Sequence, residues 1–168
     1  MTELDAQTAS GVHVRRADLG DAPVLAQLNA YVQDLHAQGE PRMFKPADAA
    51  AAEEMFRDAL GADATVVLLA EIKNESVGYL MAAELEAAET ASLQARRSLL
   101  IRHLSVAADA RQRGVGRALM AAAEQEARRR GVDTMTLDHW AFNETAARFF
   151  AQQGFEVFNV RRRRRFLA

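Results

Sequence analysis

Apolar positions along the chain follow two periods. Val12-His13-Val14-Arg15 alternates and predicts a first strand. From Val24 the period lengthens: Val24, Leu25, Leu28, Tyr31, Val32 and Leu35 recur at helical spacing. Asp18 is the expected N-cap there, with Asp21 as its capping-box partner and Pro23 near the helix start. Gly39 and Pro41 end that helix, and a second follows Pro46, with Met55, Phe56 and Leu60 on one face. The β-branched run 65–71 predicts a buried strand, Asn74-Glu75 a turn, and 77–84 the returning strand of a hairpin. Residues 86–97 predict a loop or a short helix, and 98–106 another strand. Val115, Leu119, Met120, Ala123 and Ala127 place a helix over 114–130, whose basic last turn, Arg128 to Arg130, suits the helix dipole before Gly131. A strand over 132–140, a helix over 143–153 closed by Gly154, and a final strand or pair of strands over 155–166 complete the chain.

The order is β-α-α-β-β-β-α-β-α-β. This predicts an α/β fold with a mixed sheet and helices on both faces. No repeat is present. At 168 residues, 49% hydrophobic and 26% charged, residues 12–168 are expected to form a single domain behind a flexible tail, 1–11. The absence of cysteine excludes a disulfide scaffold, a thiolate metal site and a cysteine nucleophile. Residues 1–11 lack the basic and apolar regions of a secretory signal, and no apolar run reaches the roughly 20 residues of a membrane span. A cytoplasmic location is expected, with no membrane or metal involved.

Charge is split along the chain. Residues 1–95 carry 6 Lys/Arg and 16 Asp/Glu, net −10, while 96–168 carry 15 Arg and 7 Asp/Glu, net +8. The second half suits an anionic ligand and the first a cationic partner.

The basic half contains Arg111-Gln112-Arg113-Gly114-Val115-Gly116-Arg117 between a strand and a helix. Glycines admit a sharp turn and a close ligand, with φ > 0 allowed at Gly116. Free N–H groups at the helix start bind phosphate, and Arg111, Arg113 and Arg117 add charge. A Walker loop would need a Lys, and a dinucleotide fingerprint a third Gly where Leu119 stands, so neither applies.

Arg-x-x-Gly-x-Gly after Leu104-Ser105-Val106, followed by Asn143-Glu144-Thr145-Ala146-Ala147-Arg148-Phe149-Phe150 and Gly154-Phe155, resembles the two motifs of the GNAT family of N-acetyltransferases. The resemblance covers about residues 12–166. It implies acetyl-CoA as co-substrate. Leu104, Ser105 and Val106 would hold the pantetheine arm through main-chain groups. Residues Gln112 to Arg117, including Val115, would cradle the pyrophosphate, with Asn143, Phe149 and Phe150 along the arm. It also implies an oxyanion donor in the N–H near Leu104.

The sequence departs from the family at two places. Phe150 stands where a tyrosine usually acts as general acid. Arg102 stands where a glutamate is frequent on the fourth strand, with His103 beside it. Asp138, five residues before Asn143, matches a glutamate of members that acetylate ribosomal proteins, so Asp138 is the first candidate base and His103 the second. His139 alternates to the opposite face from Asp138.

By the same resemblance the acceptor site draws on Tyr31, His36, Phe44 and Glu84, with Glu40, Glu86 and Glu89 nearby. These carboxylates suit a cationic, small-molecule or peptide amine. Arg161 to Arg165 is expected to be a solvated last strand, not a nucleic-acid site, since no aromatic residues interleave it. The implied function is acetyl transfer to a primary amine by direct attack in a ternary complex. The alternative is an acyl-CoA-binding module without turnover, which the loss of the tyrosine would equally suit. Family members are commonly homodimers.

Overall fold

The computed structural model describes residues 6–7 and 11–166. The chain divides into two compact units, Met1–Asp138 and His139–Ala168.

The first unit is built on one sheet. Its strands are β1 (Ala6–Gln7), β2 (Val12–Arg16), β3 (Thr65–Ile72), β4 (Glu75–Ala87), β5 (Arg96–Val106) and β6 (Met135–Leu137). They lie in sequence order, antiparallel throughout except for the parallel pair β5 and β6. The two-residue β1 falls inside the expected tail. The helices are α1 (Ala22–Gly39), α2 (Ala49–Leu60) and α3 (Val115–Arg129).

Local chemistry explains the boundaries. Asp18 and Asp21 form the reciprocal capping box, but around a 3-10 turn, Leu19–Asp21, that leads into α1. Asp48 caps α2 by accepting from the N–H groups of Ala50 and Ala51, both at 3.1 Å. The β3–β4 hairpin turns at Lys73-Asn74, one residue earlier than expected. Both have positive φ, 53° and 65°, the geometry whose twist matches paired strands.

The helices occupy opposite faces. Tyr79 of β4 meets Asn29 of α1 and Phe56 of α2. The adjacent Gly78 faces Val115 of α3. Successive strand residues point to opposite faces, so α1 and α2 cover one side and α3 the other. A Cβ on Gly78 would stand 2.8 Å from the Ser105 carbonyl oxygen and 3.1 Å from Val115 Cγ1. Gly78→Ala is therefore expected to destabilise the fold by about 1–3 kcal/mol through overpacking. Urea unfolding checks this; an unchanged midpoint would mean that β4 and β5 shift freely.

At the far end of α3, Glu126 is fully buried and held by Arg16, Arg129 and Arg130. Arg130 also approaches the main-chain oxygens of Asp63, Ala64 and Thr65 at 3.2 to 3.4 Å. Arg130, and Arg16 of β2 through Glu126, thus tie the end of α3 to the sheet, while Arg129 holds Glu126 from its own helix. Arg128 pairs with Glu124 instead.

The second unit contains α4 (Glu144–Gln152). The expected final strand over 155–166 does not form. Val157, Phe158, Val160 and Phe166 are 61 to 81% exposed, and Arg161 to Arg165 are exposed as well. An isolated strand leaves its N–H and C=O groups unpaired, and no ladder partner is present for this segment among the described residues. The strand over 132–140 shrinks to β6. Among the described residues, no helix is long and apolar enough to cross a membrane.

Candidate active site

Two features of the first unit open β5 at its C-terminal end. Met81 pairs with His103 but Ala82 with Ile101, so Arg102 is a bulge residue without a partner opposite. On the other side, β6 pairs only with Leu99, Leu100 and Ile101. Beyond the bulge, His103, Leu104, Ser105 and Val106 have β4 as their one strand neighbour among the described residues. Their free edge offers main-chain groups to an extended ligand, as an added strand would use them. Ser105 is buried, and its hydroxyl donates to the Leu28 carbonyl at 2.7 Å, fixing this half of β5 to α1.

The loop after β5 is anchored at both ends by Ala110 and Val115, each 1% exposed, while residues 111 to 114 face solvent. Gln112 and Gly114 have φ of 62° and 85°. Gly114, not Gly116, is thus the left-handed glycine; Gly116 lies inside α3. Gly114 provides no side-chain cap, and the first main-chain bond of the helix runs from Ala118 N–H to the Gly114 oxygen. The N–H groups of Val115, Gly116 and Arg117 are the donors a helix start leaves unshared. The Arg111 side chain turns back to the Val106 oxygen at 3.3 Å, and Arg113 and Arg117 are exposed. Oriented N–H donors, a dipole end and cations fit a pyrophosphate.

His103 and Asp138 line one open cleft of about 560 Å³, with Met55, Asp58, Met81 and Arg102. Asp138 sits on its exposed side. His103 is half-buried against Phe56 and Tyr79. Burial, then the nearby His36 and Arg102 charges, hold its pKa down to about 4, so the ring is neutral near pH 7. Burial lowers the pKa of His36 too.

The residues expected at the acceptor site have varied settings. Tyr31 is 43% exposed on α1. His36 and Phe44 pack ring to ring at 5.0 Å, and the α1–α2 connection is tied to α1 by Gln33 to the Lys45 oxygen and by Ala47 N–H to Asp34. Glu84 pairs with Arg97 and Arg130 in an ion network. Asp58 also lines the cleft, and Tyr79 joins Asn29 to His103; in the sequence Asn29 and Tyr79 stand out only as polar atoms within apolar runs.

In the second unit, Asn143 caps α4, accepting from Ala146 N–H at 3.0 Å. Phe150 is nearly buried, with Phe149, Phe155 and His139 at ring distances of 5.3, 6.0 and 6.3 Å. Among the described residues there is no group of three or more His, Asp or Glu able to hold a metal.

The bulge at Arg102, the short β5–β6 pairing and the glycine-containing loop after β5 thus lie along one stretch of the chain, next to the cleft that His103 lines. The sequence matches the acetyltransferase (GNAT) family over residues 29–155, and the chain belongs to that family. Among curated proteins none matches. Among solved structures, a tetramutant of the BH1408 protein from Bacillus halodurans superposes with a TM-score of 0.87 at 23% identity, over 91% of this chain and 99% of that one. The aminoglycoside N-acetyltransferase AAC(6')-Iy, solved in complex with CoA, gives 0.71 at 18% identity over 94% and 95%. A ribosomal-protein-alanine N-acetyltransferase from Brucella melitensis gives 0.70 at 22% identity over 93% and 99%.

Proposed function

We propose that the protein acetylates a primary amine, taking the acyl group from acetyl-CoA by direct transfer in a ternary complex. The observation that carries this reading is the neutral His103 beside Asp138 in a cleft at the free edge of β5. When bound, acetyl-CoA supplies an activated acyl thioester. Leu104 to Val106 would line its arm with main-chain groups, and Gln112 to Arg117 would hold the pyrophosphate. By family resemblance Asn143, Phe149 and Phe150 would flank the arm. The chain has no cysteine, so a covalent acetyl-cysteine route is closed.

His103 is the better base in this reading. A ring with a pKa near 4 is too weak to deprotonate a free ammonium group. It suits an amine that enters neutral and grows acidic as its nitrogen bonds to the acyl carbon. Asp58 and Asp138 line the same cleft and favour an acceptor that carries a further cationic group besides the neutral amine that reacts. Apolar Met55 and Met81 favour an amine on an apolar stem. We propose a cytoplasmic homodimer as its setting.

A coupled thiol-release assay tests this against a panel of amines: aminoglycosides, polyamines, amino acids and peptide N-termini. Turnover on at least one cationic amine, lost in His103→Gln, is the expected result. Phe150 favours the second reading, an acyl-CoA-binding module, because a phenyl ring gives no proton. Thiolate is a good leaving group, with a thiol pKa near 8.5, so the enzyme reading stands without that donor. Phe150→Tyr is expected to raise kcat, by up to about 10²-fold if thiol departure is rate-limiting. Acetyl-CoA binding without turnover of any amine, with activity only in Phe150→Tyr, would establish the binding module instead.

A further inference from the structure

Tyr79 is fully buried on β4, its ring meeting Phe56 edge-on at 5.1 Å. Its hydroxyl has two polar neighbours. It donates to Asn29 Oδ1 at 2.7 Å, and it lies 3.2 Å from His103 Nδ1. A phenol has one proton, and burial raises the Tyr79 pKa, so the group stays protonated. An amide oxygen only accepts, so that proton is committed to Asn29. The phenol oxygen therefore turns a lone pair toward His103. A neutral imidazole has one N–H, and the nitrogen facing a lone pair must carry it.

We propose that Asn29 and Tyr79 are positioning residues that lock His103 in its Nδ1–H tautomer and leave Nε2 as the lone-pair nitrogen for the cleft. This rests on the reading of His103 as the base. It also supplies what that reading requires. An unconstrained imidazole favours the Nε2–H form, which would present the cleft with a donor unable to take a proton. The buried hydroxyl, oriented from behind by α1, reverses that preference without placing a charge near the ring. Phe56, 6.4 Å from the His103 ring and nearly perpendicular to it, restricts the flip that would exchange the two nitrogens.

The relay can be read without measuring activity. Nitrogen-15 NMR of the whole chain separates protonated from bare ring nitrogens, and four histidines leave few signals to assign. The His103 signals are those lost in His103→Gln. In the wild type, near pH 7, Nδ1 is expected to be protonated and Nε2 bare. Tyr79→Phe removes the oxygen that accepts from Nδ1. Asn29→Ala keeps the hydroxyl but frees its proton to point at Nδ1. Both variants are expected to switch the ring to Nε2–H, so either one suffices if the other fails to fold.

At saturating acetyl-CoA, kcat should fall by about 10²-fold in both variants, the low end of what a positioned base contributes. Acetyl-CoA affinity should be unchanged. A wild-type ring already in the Nε2–H form overturns the relay, whatever the turnover. A wild-type Nδ1–H ring that persists in both variants overturns it as well. A tautomer switch with unchanged kcat supports the relay and removes His103 from the role of base.

Discussion

Replacing Glu126 with alanine is expected to lower the unfolding free energy by about 3–5 kcal/mol, the usual loss when one partner of a buried ion group is removed. The carboxylate is fully buried, yet three arginines approach it. Burial by itself would raise its pKa. Hydrogen bonds from Arg129, Arg130 and Arg16 outweigh that and hold it down to about 2, against the usual 4.5. Without it, Arg130, only 12% exposed, keeps its charge and loses its closest counterion. The tie from α3 to the start of β3 then weakens.

The sign of the acid dependence follows. The unfolded carboxylate takes up its proton near 4.5 and the folded one only near 2. The stabilisation from this group is present in full above 4.5 and disappears as pH falls toward 2. Urea titrations of the wild type and Glu126→Gln at pH 7, 4 and 3 should converge toward acid. Parallel curves at all three pH values would remove Glu126 from the role of clamp.

Gly116→Val is expected to weaken acetyl-CoA binding by about 10²-fold or more. The side chain would cover N–H donors at the start of α3, and charge-assisted hydrogen bonds contribute about 1.5–3 kcal/mol each. Since Gly116 is helical and the left-handed positions are Gln112 and Gly114, valine meets no φ > 0 strain there. The melting temperature of the free protein should therefore move little, which separates lost binding from lost folding. Calorimetric titration with acetyl-CoA is the measurement, and wild-type affinity in this variant would place the pyrophosphate elsewhere.

Much of the site was legible one residue at a time. The glycine and arginine pattern from Arg111 to Arg117, the strand before it and the helix after it are local features. Backbone freedom, dipole and charge all act within a few residues. The β-branched run of β3 and the cap at Asp18 were readable for the same reason: residues close in sequence decide them.

Long-range partners decided the rest. The segment 155–166 has the composition of a strand but forms none, because a strand exists only through the neighbour it pairs with. Glu84 carries charge suited to a cation, but Arg97 and Arg130, reaching it from β5 and the end of α3, hold that charge. Glu126 is buried with its charge because Arg16 of β2, 110 residues away in sequence, joins Arg129 and Arg130 on it. His103 was a candidate by its place beside Arg102. Its neutrality and its link to Asn29 through Tyr79 required three elements to pack together. The sequence by itself determined the family, the order of elements from β2 to α4 and the glycine and arginine loop proposed to hold the pyrophosphate. Which side chains are buried, paired or poised was decided by the tertiary structure, because burial and pairing belong to contacts between residues far apart in the chain.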